Sequence, residues 1–284
     1  MVSGKPKYIN VKGQLIDLEV PRVMGILNIT PDSFYKGSRY RDEKEIIGAA
    51  QKMLEEGADF LDIGGYSSRP GAADISAEEE KRRVLKAVRY VSKEFPQAII
   101  SVDSFRAEVA RQAICDCGAH IVNDISGGEA DPEMSGLIAE LNVPYIIMHM
   151  QGNPRTMQKN PVYEDVVSEI LSWFGQKTVS LMATGVKDII IDPGFGFGKN
   201  TFHNFEILRR LGELSIVGLP LMVGLSRKSM IWKTLNSSPE ESLNGTSALN
   251  AVALMNGADI LRVHDVKEAI ETVRLITMVK NRVN

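Results

Sequence analysis

Eight short apolar runs, separated by segments with helical spacing, restrict what this chain can fold into. The runs are Val23–Leu27, Phe60–Ile63, Ala98–Val102, His120–Val122, Tyr145–Met148, Asp188–Ile191, Leu221–Val223 and Asp259–Val263. They are β-rich and close to continuously apolar, the pattern of strands buried on both faces of a parallel sheet. The segments between them carry helix punctuation. Asp42–Glu45 and Ser76–Glu79 have capping-box spacing. Gly57, Pro96, Gly118, Gly185 and Gly257 mark helix ends. Val167, Ile170, Leu171 and Phe174 share one helical face. Three helix ends read alike, E-E-G-A-D (55–59), C-G-A-H (117–120) and N-G-A-D (256–259), a faint echo of one βα unit.

No Gly/Ser-rich or Pro-rich linker divides the 284 residues, so one domain over 1–284 is expected. Repeated βα units predict an α/β fold, a (β/α)8 TIM barrel. An open doubly wound sheet is the alternative. Tyr8–Val11 and Leu15–Leu18 flank Gly13 and predict an N-terminal β-hairpin within residues 1–20, covering the barrel's bottom. The charge run Glu78–Arg83 has Glu78/Arg82 and Glu79/Arg83 at i,i+4 and is expected to be a solvated helix face.

Charge excludes some partners. With 33 Lys+Arg against 36 Asp+Glu, the net charge of −3 offers no basic field for nucleic acid and no polybasic membrane patch. No apolar run approaches the ~18 residues of a membrane span, and the N-terminus lacks the apolar core of a signal peptide. Cys115 and Cys117 lie too close for an unstrained bridge and are read as free thiols in a reducing cytoplasm.

A barrel of this kind gathers its chemistry at the C-terminal ends of its strands. There the sequence places Asn28, Ser67–Arg69, Asp103, Asn123 with Asp124, His149, Asp192, Arg227–Lys228, and Arg262 with His264. Asp103, Asn123, Asp192 and Lys228 suit the edge of a flat heterocycle rich in N–H groups, since a carboxylate takes two parallel N–H bonds. Arg69, Arg262 and His264 offer positive charge and donors for a phosphate or pyrophosphate. Asn28 is a hard oxygen ligand able to help hold Mg²⁺ beside that anion. His149 and Asp124 are expected to serve structure, the latter as a strand-end cap. The glycine-rich stretch Asp192–Lys199 (DPGFGFGK) fails the P-loop pattern, because Pro193 stands where the first Gly belongs and Asn200 replaces Ser/Thr. Its glycines are expected to let the backbone approach a flat ligand. Asn28–Phe34 (NITPDSF) and Ser67–Gly71 (SSRPG) are expected to close over the reacting centre.

These stretches, with Asp62–Gly71 (DIGGYSSRPG), Ser101–Ser104 (SVDS), Asn123–Gly127 (NDISG), Met148–Gly152 (MHMQG), Gly224–Ser229 (GLSRKS) and Arg262–Asp265 (RVHD), resemble the bacterial dihydropteroate synthase family in order along the chain. The resemblance implies a (β/α)8 barrel, a homodimer, Mg²⁺ as cofactor, and condensation of p-aminobenzoate with 6-hydroxymethyl-7,8-dihydropterin pyrophosphate. It implies that Asp103, Asn123, Met148, Asp192 and Lys228 bind the pterin. Ser68, Arg69, Arg262 and His264 would hold pyrophosphate, and Asn28 the metal. Phe34, Pro70, Phe197, Arg227 and Ser229 would shape the p-aminobenzoate site. Asp103, Lys228 and Asn28 would carry the chemistry, an SN1-like loss of pyrophosphate. One departure stands out: the family usually reads E-S-T-R-P-G where this chain has Tyr66-Ser67-Ser68-Arg69-Pro70-Gly71, so altered loop packing or drug response is expected. A pterin-dependent methyltransferase and a non-catalytic pterin-binding paralogue are the rival readings. The first is opposed by Ser226–Ser229 and the N-x-T-P-D-S-F loop, the second by retention of the metal and anion residues.

Overall fold

The computed structural model describes residues 7–29, 42–67, 75–152, 157 and 161–280. An antiparallel hairpin opens the chain, β1 (Tyr8–Val11) and β2 (Gln14–Asp17). Its turn uses Lys12 at φ 51° and Gly13 at φ 83°. Two successive positive φ values match the right-handed twist of the strands they join.

Eight parallel strands follow: β3 (Arg22–Asn28), β4 (Phe60–Gly64), β5 (Ile99–Asp103), β6 (Ile121–Asp124), β7 (Tyr145–Met148), β8 (Ile189–Asp192), β9 (Met222–Val223) and β10 (Ile260–Val263). Their order is β8-β7-β6-β5-β4-β3-β10-β9. A parallel bridge from Ile191 to Leu221 joins the two ends of that list, with the Ile191 amide donating to the Pro220 carbonyl at 2.9 Å. The closed circuit is the predicted barrel and excludes the open doubly wound sheet. β9 is shorter than the sequence suggested, because Leu221 pairs only through that single bridge.

The helices are α1 (Glu43–Glu55), α2 (Ala77–Glu94), α3 (Ala107–Cys117), α4 (Met134–Leu141), α5 (Val166–Thr184), α6 (Thr201–Arg209), α7 (Ser229–Thr234), α8 (Leu243–Met255) and α9 (Val266–Lys280). Asp42 and Ser76 cap α1 and α2 as predicted, accepting from the Glu45 and Glu79 amides at 2.9 and 3.2 Å. The second box stays half-built, because Glu79 turns to Arg82 and Arg83 instead. That geometry corrects the expected pairing of Glu78 with Arg82: Glu78 pairs with Lys81. Nor is the whole run solvated, since Glu80 is fully buried against Arg106.

Two apolar layers result from the two-residue period of the strands. Val23, Leu61, Ile63, Ile100, Val102, Val122, Ile147, Ile191 and Val263 face the helices. Met24, Phe60, Ile121, Ile146, Ile190, Met222 and Ile260, one residue out of phase, fill the barrel's lower interior with Ile9, Val11 and Leu18 of the hairpin segment. The hairpin thus plugs the N-terminal end of the barrel. The Asn10 amide donates to Asp188 at 3.0 Å, and Lys7 pairs with Asp259 at 2.6 Å. Cys115 is exposed, Cys117 is buried, and both are unbridged. Among the described residues no helix is long and apolar enough to cross a membrane.

Candidate active site

Two or four residues further along most strands from the apolar plug, the interior becomes polar. Counting in twos from Met24, Phe60, Ile99, Ile121, Ile190 and Ile260 reaches Asn28, Asp62, Asp103, Asn123, Asp192 and Arg262. The same count from Ile146 reaches Met148. Strand geometry therefore brings the predicted residues of five strands, and Asn28 of a sixth, to one end of the barrel interior.

Asp62, Asp103, Asn123 and Arg262 form a connected group. Arg262 donates through Nε to Asp62 Oδ2 at 2.6 Å and through Nη2 to Asp103 Oδ2 at 2.7 Å. Asn123 Nδ2 donates to the same Asp62 oxygen at 2.9 Å. Burial opposes charge on Arg262, but the Asp62 and Asp103 carboxylates outweigh it and hold the guanidinium charged. Burial also pushes Asp103 up to about 7 against the pull of Arg262, with Asp62, Glu80 and Asp124 adding like charge.

Asp192 and Lys228 make a second group. Burial raises the Asp192 carboxyl, partly offset by Lys228 and by the Gly194 amide, which donates to Oδ1 at 2.7 Å. Burial lowers Lys228 to about 8, with Asp192 opposing and Arg262 reinforcing that fall. Its ammonium donates to the Phe195 carbonyl and sits 4.9 Å from the centre of the Phe197 ring, a cation–π distance. Met148 is buried beside the turn at Gly194.

Other predicted residues take different postures. His264 lies 3.1 Å from Ser226 Oγ through Nδ1. Burial, with Arg262 nearby, lowers it to about 4, so at neutral pH it is an uncharged imidazole and not the cation the sequence suggested. Arg227 grips Asp265 with Nε and Nη2 at 2.9 and 2.8 Å and the Pro239 and Glu240 carbonyls with Nη1. This holds a backbone at φ 56°, a conformation that strains a side-chain-bearing residue. Arg227 is therefore a brace beneath the strand-end loop. Ser229 opens α7, half-buried, directly after Lys228. Phe34, Ser68, Arg69 and Pro70 lie outside the described residues, as do most of the two loops that carry them.

Two residues escaped the sequence reading. Asp62 is one; a carboxylate inside the run FLDIG was a signal, since burying a charge requires a partner. Lys199 is the other. It is fully buried, and its ammonium donates to the carbonyls of His149, Gly194 and Phe197 at 3.1, 3.1 and 2.8 Å. Burial drives it well below its ordinary value. The lysine fastens the glycine loop onto the chain leaving β7. Gly194 and Gly198 serve that packing: a Cβ on Gly194, at φ 70°, would overlap the His149 carbonyl oxygen, and one on Gly198 the Gln151 backbone, whereas a Cβ on Gly196 would meet only the Lys228 side chain.

The His149 ring packs edge-on against Trp173, centroids 5.4 Å apart, and burial lowers it to about 3. Its Nδ1 is buried without a hydrogen bond among the described residues, while its backbone accepts from Lys199 and donates to the Asp192 carbonyl, the structural bonding expected of it. Asp124 is a cap as predicted, accepting from the Ser126 and Gly128 amides and from the Tyr145 hydroxyl at 2.7, 2.8 and 2.7 Å. Tyr66 meets Phe105 edge to face at 5.0 Å, with the Arg106 guanidinium 5.7 Å from its ring. Arg106 also binds the Ile75 carbonyl at 2.8 Å. At this position an aromatic ring thus occupies a cationic neighbourhood where the family usually has a carboxylate.

Comparison with known proteins agrees with this geometry. The family described as "Pterin binding enzyme" matches residues 24–264. The dihydropteroate synthase of Escherichia coli K12 is 45% identical over 267 residues, covering 93% of this chain and 94% of its own. That of Haemophilus influenzae is 43% identical over 261 residues, with 91% and 93% covered. Among solved structures, Yersinia pestis dihydropteroate synthase in a sulfonamide drug complex superposes with a TM-score of 0.92 at 40% identity, covering 96% of this chain and 99% of that one. The Xanthomonas albilineans enzyme with 4-aminobenzoic acid gives 0.88 at 36%, with 97% and 99% covered. The chain therefore belongs to the pterin-binding enzyme family and, within it, to the dihydropteroate synthases, enzymes of the transferase class.

Proposed function

We propose that this chain joins p-aminobenzoate to 6-hydroxymethyl-7,8-dihydropterin pyrophosphate, giving 7,8-dihydropteroate and pyrophosphate, with sulfonamides competing for the p-aminobenzoate position. The observation that carries this reading is the set Asp103, Asn123, Asp192 and Lys228 at one end of the barrel, Asn123 and Asp192 buried and Asp103 and Lys228 half-buried. Asp192 and Asn123 provide acceptors for the amino and ring N–H groups of the pterin. Lys228 provides donors for its ring acceptors, and Met148 an apolar wall.

Asp103 places negative charge where a pterin methylene cation would develop, which favours loss of pyrophosphate before the amine attacks. The arylamine is unprotonated at neutral pH and needs no base to become a nucleophile. Arg262 and His264, with Ser68 and Arg69, would hold the pyrophosphate. Phe34, Pro70, Phe197 and Ser229 would line the p-aminobenzoate site, with Arg227 bracing it.

Among the described residues no group of three His, Cys, Asp or Glu side chains could hold an ion alone. Mg²⁺ commonly takes one or two protein oxygens and completes its shell with substrate phosphate and water. The Asn28 amide, at the end of β3 opposite Gly64, fits such a role. Mg²⁺ held there supplies charge neutralisation to the departing pyrophosphate.

A homodimer belongs to the same proposal. Leu275, Met278 and Val279 share an exposed face of α9, and Val252 and Met255 an exposed face of α8, which packs beside it. The unbridged thiols suit a cytoplasmic setting. The deciding assay is release of pyrophosphate from the pterin substrate. Sustained release must be stimulated by p-aminobenzoate and matched by formation of 7,8-dihydropteroate; no dihydropteroate with both substrates present refutes the reading.

A further inference from the structure

Asp62 lies one strand from Asp103 and level with Ser101, two residues deeper along the barrel than Asp103. It is fully buried. One of its oxygens, Oδ2, accepts from Arg262 Nε and from Asn123 Nδ2, and Arg262 Nη2 also lies 2.6 Å from it. The other, Oδ1, is buried without a hydrogen bond among the described residues. Such a group is costly to bury unless its partners repay it.

The direction of these bonds has consequences for both partners. A carboxylate only accepts, so Asn123 must turn its NH2 toward Asp62. Its amide oxygen then points to the opposite side, as the acceptor it has left. Arg262 likewise commits the edge bearing Nε and Nη2 to Asp62 and Asp103, leaving Nη1 for any further acceptor.

We infer that Asp62 is a positioning residue, which fixes Asn123 with its oxygen toward the pterin and Arg262 with Nη1 toward the pyrophosphate. This rests on the reading of the site as a dihydropteroate synthase site, and wild-type turnover tests that reading separately. Asp62 touches neither substrate in this account. It acts by setting which atoms its two neighbours present.

The first test is Asp62→Asn, which keeps volume but removes the charge and the obligatory acceptor. Pterin pyrophosphate binding is measured by calorimetry with Mg²⁺, turnover by pyrophosphate release, and folding by circular dichroism. The expected result is a pterin Kd raised at least tenfold, with the KM for p-aminobenzoate within twofold of wild type. Asp103 faces Arg262 from β10, Asp62 from β4, Glu80 from α2 and Asp124 from β6. Removing the Asp62 charge leaves Arg262 less divided, so the acid limb of the pH–rate profile moves to lower pH. A loss of secondary structure alone would not move that limb.

The second test survives poor folding of the first variant. Asn123→Asp sets two carboxylates face to face. Adding Asp62→Asn rebuilds the bond with donor and acceptor exchanged, still leaving an oxygen of residue 123 for the pterin. The double variant should recover at least tenfold in pterin affinity over Asn123→Asp. If wild type turns over but the exchange recovers nothing, or Asp62→Asn binds pterin normally, Asp62 has no positioning role. If wild type forms no product, the functional reading itself fails.

Discussion

Arg262 reaches across the barrel mouth to Asp103, Nη2 to Oδ2 at 2.7 Å, although β3 and β4 lie between their strands. The pair ties opposite stretches of the circuit together and leaves Asp103 balanced between burial, which favours its proton, and Arg262, which favours its charge. A carboxyl held near neutrality sits where the proposed reaction needs an anion. Lys228, lowered to about 8, is poised on the other side of neutrality.

This poise predicts a bell-shaped pH dependence of kcat/KM for the pterin substrate. Asp103 becomes the required carboxylate as pH rises through about 7. Lys228 loses the required proton as pH rises through about 8. Activity should therefore peak between them. Asp103→Asn should abolish the acid limb and lower kcat by about 10²-fold or more, a typical loss of transition-state electrostatics. A profile flat from pH 6 to 9 in the wild type would contradict this assignment.

Lys199→Met tests the loop fastening. The substitution removes a buried charge, which relieves desolvation, but strips three carbonyls of their shared donor. The second effect should dominate, because unmet buried acceptors cost about 1–3 kcal/mol each. We expect a net loss of roughly 2–3 kcal/mol, seen as a Tm lower by about 5–10 °C. The KM for both substrates should rise, since Asp192 and Phe197 belong to the same loop. A variant as stable as wild type would show that the loop holds itself.

The barrel was legible because its strands declare themselves twice, as apolar runs and as the ends of helix–turn phrases such as N-G-A-D at 256–259. Tyr145–Met148 coincides with β7 and Tyr8–Val11 with β1, while the other bounds move by about one residue. The site was legible where a polar residue ended a strand, as at Asp103 and Asp192. Asp62 is not legible as a strand end, because it lies inside β4, where the two-residue phase places it in the same interior column as Phe60 and Gly64. Lys199 was hidden for a different reason. Its burial depends on three carbonyls from two loops, and no local pattern encodes that meeting. The charge state of His264 was misjudged because only packing reveals desolvation.

Gly194→Ala should disable the site more than it unfolds the chain. The methyl meets the His149 carbonyl, and φ 70° adds strain, of order 1–2 kcal/mol in this region. The loop can escape only by moving off β7, which withdraws the Gly194 amide from Asp192. We expect pterin affinity to fall by at least tenfold, read by calorimetry, with far-ultraviolet circular dichroism unchanged. Normal affinity would mean that the loop accommodates a side chain without disturbing Asp192.

The buried histidines predict how the fold meets acid. His120 is buried at the lower end of the barrel, where Nδ1 accepts from the Ile100 amide at 3.0 Å. A ring accepting at Nδ1 cannot be doubly protonated, and burial lowers it to about 4 from 6.5. The unfolded chain therefore binds the proton first as pH falls. The stabilisation is complete above about 6.5 and drains away down to about 4. At pH 5 a shift of this size amounts to on the order of 2 kcal/mol. His120→Gln can present its side-chain oxygen to the Ile100 amide without titrating. Its Tm should lie below wild type at pH 7.5 and close to it, or above, at pH 5. Parallel Tm curves for the two proteins across that interval would exclude His120 as a source of acid sensitivity.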